Sequence, residues 1–268
     1  MFEAKGRPRF NPLIAHIAGL DAAVHIAALD TRALALAEAF WPGPLTLVAP
    51  LRDPEAVCDL ARAGLDTVAV RAPAHPLAQA LLAAFGGPVA APSANRSGRP
   101  SPTRFADAME ETGAAAQAAL DGGPCRVGLE STVVGALEGE LALLRPGAVT
   151  RDQIEAIAGP LSDRADDARR SPGRLARHYA PAAPLRLDVT EPTPGSAYLA
   201  FGPGAPSGER VWNLSPTGDL VEAASRLFTC LRLADQTAPA AIEVAPIPQH
   251  GLGEAINDRL RRGAGQVG

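Results

Sequence analysis

Aromatic residues are scarce in this chain: two Trp, two Tyr and seven Phe among 268 residues. A surface that stacks single-stranded bases on rings therefore has little to be built from. Cysteine is scarcer still. Cys58, Cys125 and Cys230 stand far apart, with no Cys-x-x-Cys pair and no zinc spacing, so neither a disulfide framework nor a structural metal is expected. Scattered thiols suit a reducing compartment, and the cytoplasm is the expected location. No apolar run reaches the roughly 18 residues of a membrane-spanning helix, and Met1-Phe2-Glu3-Ala4-Lys5 lacks a leader peptide's apolar core. Positive charge is not in excess either. The net charge of −4 gives no global field to draw the protein onto nucleic acid, although a local basic patch is compatible with it. Finally, the common signatures of nucleotide and hydrolase chemistry are missing. There is no Gly-x-x-x-x-Gly-Lys-Ser/Thr loop, no Gly-x-Gly-x-x-Gly after a strand, no His/Cys cluster at metal-ligand spacing and no Gly-x-Ser-x-Gly elbow.

What is present is a soluble-globular composition, 47% hydrophobic and 20% charged, punctuated by 26 Gly and 26 Pro. That length accommodates one large or two moderate domains. Asp30 and Thr31 cap a predicted helix running through Leu34, Ala37 and Phe40 that must stop before Pro42. Thr67 to Val70 reads as a buried strand. His75 to Phe85 reads as a helix closed by Gly86-Gly87, and Pro88 to Ala91 as a short strand. Ser131 to Leu137 and Glu140 to Leu144 read as a hairpin turning at Gly139. Asp152 to Ala158 makes a short helix. These elements predict a first α/β domain over 1–158. From 159 to 184 the apolar periodicity disappears, and Arg164, Arg169, Arg170, Arg174 and Arg177 mix with Asp163, Asp166, Asp167 and several prolines, as in a linker. Over 185–268 alternation resumes: strands at Ala197 to Phe201 and Ala241 to Val244, helices at Leu220 to Leu233 and Leu252 to Arg262. A smaller second α/β domain is expected there.

Four stretches place polar side chains among Pro, Gly and Ala. Lys5-Gly6-Arg7-Pro8, with Asn11 and His16 following, offers a point charge and a planar fork suited to a polyphosphate; a solvated basic terminus would carry the same residues. Trp41-Pro42-Gly43-Pro44-Leu45-Thr46 is first of all a helix stop and rigid turn. Arg71 ends a buried strand, where ligands of α/β folds often sit. The loop from Ser93 through Asn95 and Ser101 to Thr103 presents hydroxyls, an amide and backbone N–H groups, a chemistry suited to phosphate and ribose; its length exceeds that of an ordinary connection. In the fourth stretch Glu130-Ser131-Thr132 opens a strand and Arg145 ends its partner. A hairpin brings Ser131 and Arg145 together, able to bind one anion. Each of these, read singly, is also an ordinary strand-end polar residue, and the residues alone lead to an α/β protein with an anion or nucleotide site.

In order along the chain, these stretches resemble the two-domain branch of the threonylcarbamoyl-AMP synthase family. The matching segments are Lys5-Gly6-Arg7-Pro8 with Asn11-Pro12-Leu13 and His16, Pro42 to Thr46, Arg71-x-Pro73-x-His75-Pro76, Ala91 to Thr103, Asp121-Gly122-Gly123, Glu130 to Val133 and Arg145-Pro146-Gly147. Ser171-Pro172-Gly173 and Arg177 to Pro181 resemble its linker, and Asn213 to Asp219 and Ile256 to Leu260 its C-terminal domain. The resemblance implies a YrdC-like twisted mixed sheet with flanking helices around a concave basic cleft, plus the smaller C-terminal domain. It implies condensation of L-threonine, bicarbonate and ATP, with Mg²⁺ on the nucleotide and no metal held by the protein, into threonylcarbamoyl-AMP and pyrophosphate. Other proteins would then move the threonylcarbamoyl group to tRNA, and direct tRNA binding by this chain is possible but not required. Carried over position by position, Lys5 and Arg7 would be catalytic and would face ATP together with Asn11, Ser93, Asn95, Ser101, Thr103, Arg145 and Tyr179. His16, Arg71 and Ser131 would hold threonine, Ser93 serving either ligand, and Tyr179 would close over the nucleotide.

The chain departs from the family pattern in two places. Members usually carry a further segment before Lys-x-Arg-Pro, with a strand and a motif that contacts threonine, whereas Met1 stands on the helix leading into Lys5; a late-assigned start is expected. Leu175 and Ala176 stand where a basic and an aromatic residue are usual. Two other readings remain beside the synthase: a non-catalytic RNA- or nucleotide-binding protein, and a shortened, inactive synthase.

Overall fold

The structure is a computed structural model and describes residues 1–162 and 178–266. The Arg/Asp cluster of 163–177, Ser171-Pro172-Gly173, Leu175, Ala176 and Arg177 lie outside the described residues.

In the first unit the chain runs α1 (Phe2–Lys5), β1 (Ile14–His16), α2 (Leu20–Ile26), α3 (Thr31–Phe40), β2 (Leu45–Pro50), α4 (Asp59–Arg62), β3 (Thr67–Arg71), α5 (Pro76–Phe85), β4 (Val89–Ala91), α6 (Phe105–Thr112), β5 (Thr132–Leu137), β6 (Glu140–Arg145) and α7 (Arg151–Ala158). The strands form a six-stranded mixed sheet in the order β4-β1-β3-β2-β5-β6. β1 lies parallel to β3 and β2 parallel to β5, while the remaining pairs are antiparallel. The expected cap is formed: the Asp30 carboxylate accepts from Ala33 N–H at 2.8 Å. α5 stops at Gly86, which is left-handed at φ 73°.

Five elements of this unit were not anticipated: β1, α2, β2, α4 and α6. Leu45–Pro50 is a central strand, not the tail of a turn, because five of its six residues are buried between neighbours on both sides. β1 and α6 are too short or too mixed in polarity to show a period. A core of aliphatic residues, Leu36, Leu45, Leu47, Val70, Val134 and Ile154 among them, packs helices onto one sheet face.

The second unit adds β7 (Leu185–Arg186), β8 (Ala197–Ala200), β9 (Val211–Asn213), α8 (Leu220–Gln236), β10 (Ile242–Val244) and α9 (Leu252–Gly263). Its four strands are all parallel in the order β7-β10-β8-β9. Its core of Leu199, Leu214, Leu227, Phe228, Ile242 and Ile256 also takes in Tyr179 and, from the first unit, Leu129. The two units therefore meet along the segment that carries Glu130. Among the described residues no helix is long and apolar enough to cross a membrane.

Candidate active site

Two glycines shape the floor of the site. A side chain on Gly147 would stand 2.4 Å from the backbone nitrogen of Thr132, so the Arg145-Pro146-Gly147 turn presses on the start of β5 only because Gly147 has none. A Cβ on Gly43 would lie 2.1 Å from the Phe40 carbonyl oxygen. Gly43 N–H donates to Ala72 at 2.8 Å, and its own carbonyl accepts from Arg71 Nε at 3.1 Å. The Pro-Gly-Pro turn thus aims the Arg71 guanidinium. The bulge between Val133 and Val134 re-registers the hairpin and sets Val133 opposite Arg145. Arg145 Nη2 then donates to the Ser131 carbonyl at 2.7 Å and to Ser131 Oγ at 3.1 Å. Ser131 Oγ shares a further bond of 2.7 Å with Thr46 Oγ1.

These ends converge on a cavity of about 200 Å³. Of the residues singled out in the sequence, Arg7, His16, Arg71, Ser93, Ser131, Arg145 and Tyr179 line it, drawn from α1's end, β1, β3, the loop after β4, both hairpin strands and the start of the second unit. Glu130 and His178 line it as well. They were not placed in the site from sequence. Glu130 had a signal, its position beside Ser131 in the matching segment. His178 had one in its adjacency to Tyr179.

Lys5, Asn11, Asn95, Ser101 and Thr103 do not line the cavity; they build the loop around it. Lys5 is buried, 6% exposed, and is no solvated terminus: its ammonium donates to the carbonyls of Ser93, at 2.6 Å, and Asn95. Burial and the charge of Arg7, opposed by Glu111, bring its pKa down to about 8. Arg7 Nη2 donates to Pro12 at 2.8 Å and, more weakly, its Nε to the Asn11 carbonyl at 3.4 Å. Asn95 Nδ2 donates to Arg96 and Arg99 carbonyls at 2.8 and 2.9 Å. Ser101 donates to Glu130 Oε1 at 2.6 Å, and Thr103 shares a 2.7 Å bond with Thr229 of α8. Tyr179, expected in a closing linker, is instead a fully buried member of the second core, its ring 5.4 Å from that of Phe228.

Arginines dominate the field. Burial brings Arg7 down to about 10, opposed by Tyr179 and reinforced by Arg145, and Arg71 down to about 10, with Arg145 adding to the effect. Burial also lowers Arg145. All stay charged near neutral pH. Glu130, the one carboxylate among the lining residues, is pushed up by burial but drawn down to about 2 by Arg259 and Arg145. Burial takes His16 to about 4, helped by Arg71, and takes His178 to about 4 against the pull of Glu130. Both are neutral, and the Nδ1 of each is buried with no hydrogen-bond partner in the structure. The cavity is therefore a preorganised anion site with neutral imidazole edges.

A mixed-sheet α/β unit with an arginine-lined cavity, closed by a second unit, defines a class of enzymes that bind anionic substrates and hold them in line. The comparisons make that class specific. Residues 1–147 match the family model described as "Telomere recombination", and residues 149–265 match "Threonylcarbamoyl-AMP synthase, C-terminal domain". The chain is 38% identical to the threonylcarbamoyl-AMP synthase of Bacillus subtilis over 99% of its own length and 82% of that protein's. It is 38% identical to that of Pyrococcus abyssi over 99% and 83%. The crystal structure of P. abyssi Sua5 complexed with L-threonine superposes with a TM-score of 0.90 at 38% identity, covering 99% of this chain and 83% of that one. A variant of that protein, in which an adjacent histidine and tyrosine are alanine, superposes with a TM-score of 0.88 at 36% identity, covering 99% and 82%. The chain belongs to the threonylcarbamoyl-AMP synthase family.

Proposed function

We propose that this chain condenses L-threonine, bicarbonate and ATP into threonylcarbamoyl-AMP and pyrophosphate in the arginine-lined cavity. The observation that carries the reading is the convergence of Arg7, Arg71 and Arg145 on one cavity in a chain of this family. Threonine brings a carboxylate and ATP a triphosphate, and fixed guanidinium forks match both.

The chemistry needs no side-chain nucleophile. The threonine amine adds to the bicarbonate carbon with loss of water, giving a carbamate. A carbamate oxygen then attacks the α-phosphorus, and the bond to the pyrophosphate oxygen breaks. Alignment of these groups and neutralisation of their charge supply the rate enhancement, good alignment alone contributing about 7–11 kcal/mol. Arg71, fixed by Gly43, is the group for the threonine carboxylate. Arg7 and Arg145 face the phosphates. Neutral His16 offers a ring nitrogen without adding charge. The chain's single His-Tyr pair, His178-Tyr179, lines the same cavity, and such a pair was altered in the P. abyssi variant.

Mg²⁺ enters with ATP as part of the substrate. Glu130 is already bonded to Ser101 and Arg259, and no group of three His, Cys, Asp or Glu side chains among the described residues is placed to hold a metal. The donor set therefore fits an ion carried by phosphates. The product is a mixed anhydride, an activated acyl donor whose threonylcarbamoyl group other proteins would move to tRNA.

Mass spectrometry of the reaction of purified chain with ATP, L-threonine and carbon-13 bicarbonate tests the reading. An adenylate containing threonine and the labelled carbon is expected. ADP as the sole nucleotide product, or AMP formed equally without L-threonine, would refute it.

A further inference from the structure

The loop over 92–104 enters the cavity lining at Pro92 and Ser93, and three of its hydrogen bonds come from the second unit. Arg232 of α8 donates to the Pro100 carbonyl and pairs at 3.0 Å with Glu111, whose other oxygen accepts the Arg96 N–H at 3.0 Å. Thr229 meets Thr103 at 2.7 Å, and Ala180 N–H donates to Gly98 at 2.8 Å. The strongest link comes from α9. Arg259 is 1% exposed. Its Nε donates to Glu130 Oε2 at 2.9 Å and its Nη1 to Asp258 at 2.6 Å. Glu130 Oε1 in turn accepts from Ser101 of the loop at 2.6 Å. The Arg259 guanidinium carbon lies 5.3 Å from the centre of the Tyr179 ring, within cation–π range. Asp258 also holds Arg262 at 3.0 Å, and the Arg262 carbonyl accepts from His178 N–H at 3.3 Å.

An ion pair between two units with a fully buried arginine and a partly buried glutamate is a weak source of stability, because desolvation offsets most of the Coulombic gain. What such a pair does well is fix geometry. Arg259 does not itself line the cavity, but two of its partners, Tyr179 and Glu130, do. We propose that Arg259 is a positioning residue that sets the 92–104 loop through Glu130 and Ser101, so that the second unit completes the nucleotide side of the site. This rests on the synthase reading for its kinetic consequence, but the positioning itself does not.

The test uses the full chain and two variants, Arg259→Met, which keeps about the same volume, and Arg259→Lys, which keeps the charge that Glu130 and Asp258 pair with. The readouts are amide hydrogen exchange by mass spectrometry and steady-state kinetics. For Arg259→Met, exchange over 93–104 should quicken roughly tenfold with α8 and α9 unchanged, the size expected for a lost charged hydrogen bond. The KM for ATP should rise about tenfold with kcat within about threefold, and Arg259→Lys should fall between. Loop exchange and KM both at wild-type values would overturn the proposal. So would exchange that quickens throughout α8 and α9 with unchanged KM, the mark of a core residue only. If the wild-type chain shows no threonine-dependent turnover, the synthase reading fails, while loop exchange still decides the positioning role.

Discussion

The Arg145 guanidinium and the Ser131 carbonyl oxygen, fourteen positions apart in the sequence, meet at 2.7 Å at the open end of the β5–β6 hairpin. The same guanidinium reaches Ser131 Oγ, which in turn meets Thr46. A hydroxyl, a carbonyl and a cation are thus held in one buried cluster before any substrate arrives. Ser131→Ala removes the hydroxyl that Thr46 Oγ1 and Arg145 Nη2 both meet, while the Arg145 bond to the carbonyl of residue 131 remains. It should cost about 1–3 kcal/mol in chemical denaturation and lower kcat/KM for L-threonine.

Arg71 and Arg145 should divide the substrates. Arg71→Gln keeps a donor for Gly43 but removes the charge. The KM for L-threonine is expected to rise roughly 10- to 100-fold, with the KM for ATP within about threefold. Steady-state titration of each substrate at saturating levels of the other measures this.

Thr132 is a test of the hairpin's anchoring. Its buried Oγ1 donates to the Val149 carbonyl at 2.5 Å and accepts from Val149 N–H at 2.9 Å. Thr132→Val preserves shape but orphans both backbone groups, and a loss of about 1–3 kcal/mol is expected by urea unfolding. Gly147→Ala should be worse, since its new Cβ meets backbone that cannot yield.

His16 and His178 give the fold a pH signature. Each has a folded pKa near 4 against an ordinary 6.5. Between those values the unfolded chain binds more protons, so stability falls as pH drops through that window and levels off below it. Each histidine contributes a slope of about 1.4 kcal/mol per pH unit inside the window. Thermal unfolding from pH 7 to 4 should show the decline, and His178→Gln should make it shallower.

Removing divalent ions separates substrate metal from structural metal. With EDTA, turnover should stop while the melting temperature stays within about 1 °C, because no cluster among the described residues holds a metal.

Much of this architecture is legible in the residues. Asp30 and Pro42 bracket α3, Gly86 ends α5, and Gly139 turns the hairpin, because each imposes a local backbone condition that neighbours seldom override. β2 escaped because its first residues follow a Pro-Gly-Pro turn and its apolar run has no alternation when both faces are buried. At the site, strand-end positions announced Arg71, Ser131 and Arg145. What Lys5 and Tyr179 pack against did not follow. Whether an ammonium meets phosphate or a loop carbonyl depends on how the Ser93–Asn95 backbone curls over it. Arg259 lay inside the matching segment Ile256 to Leu260, but its role was invisible, since its partner Glu130 lies 129 positions away and no local pattern marks a side chain that crosses between units.

Pyrophosphate release from ATP by the purified chain, with and without L-threonine and bicarbonate, tests the central claim most directly. The account predicts release that requires both co-substrates. Release that ignores threonine, or a folded chain that binds ATP and releases nothing with all substrates present, would contradict it.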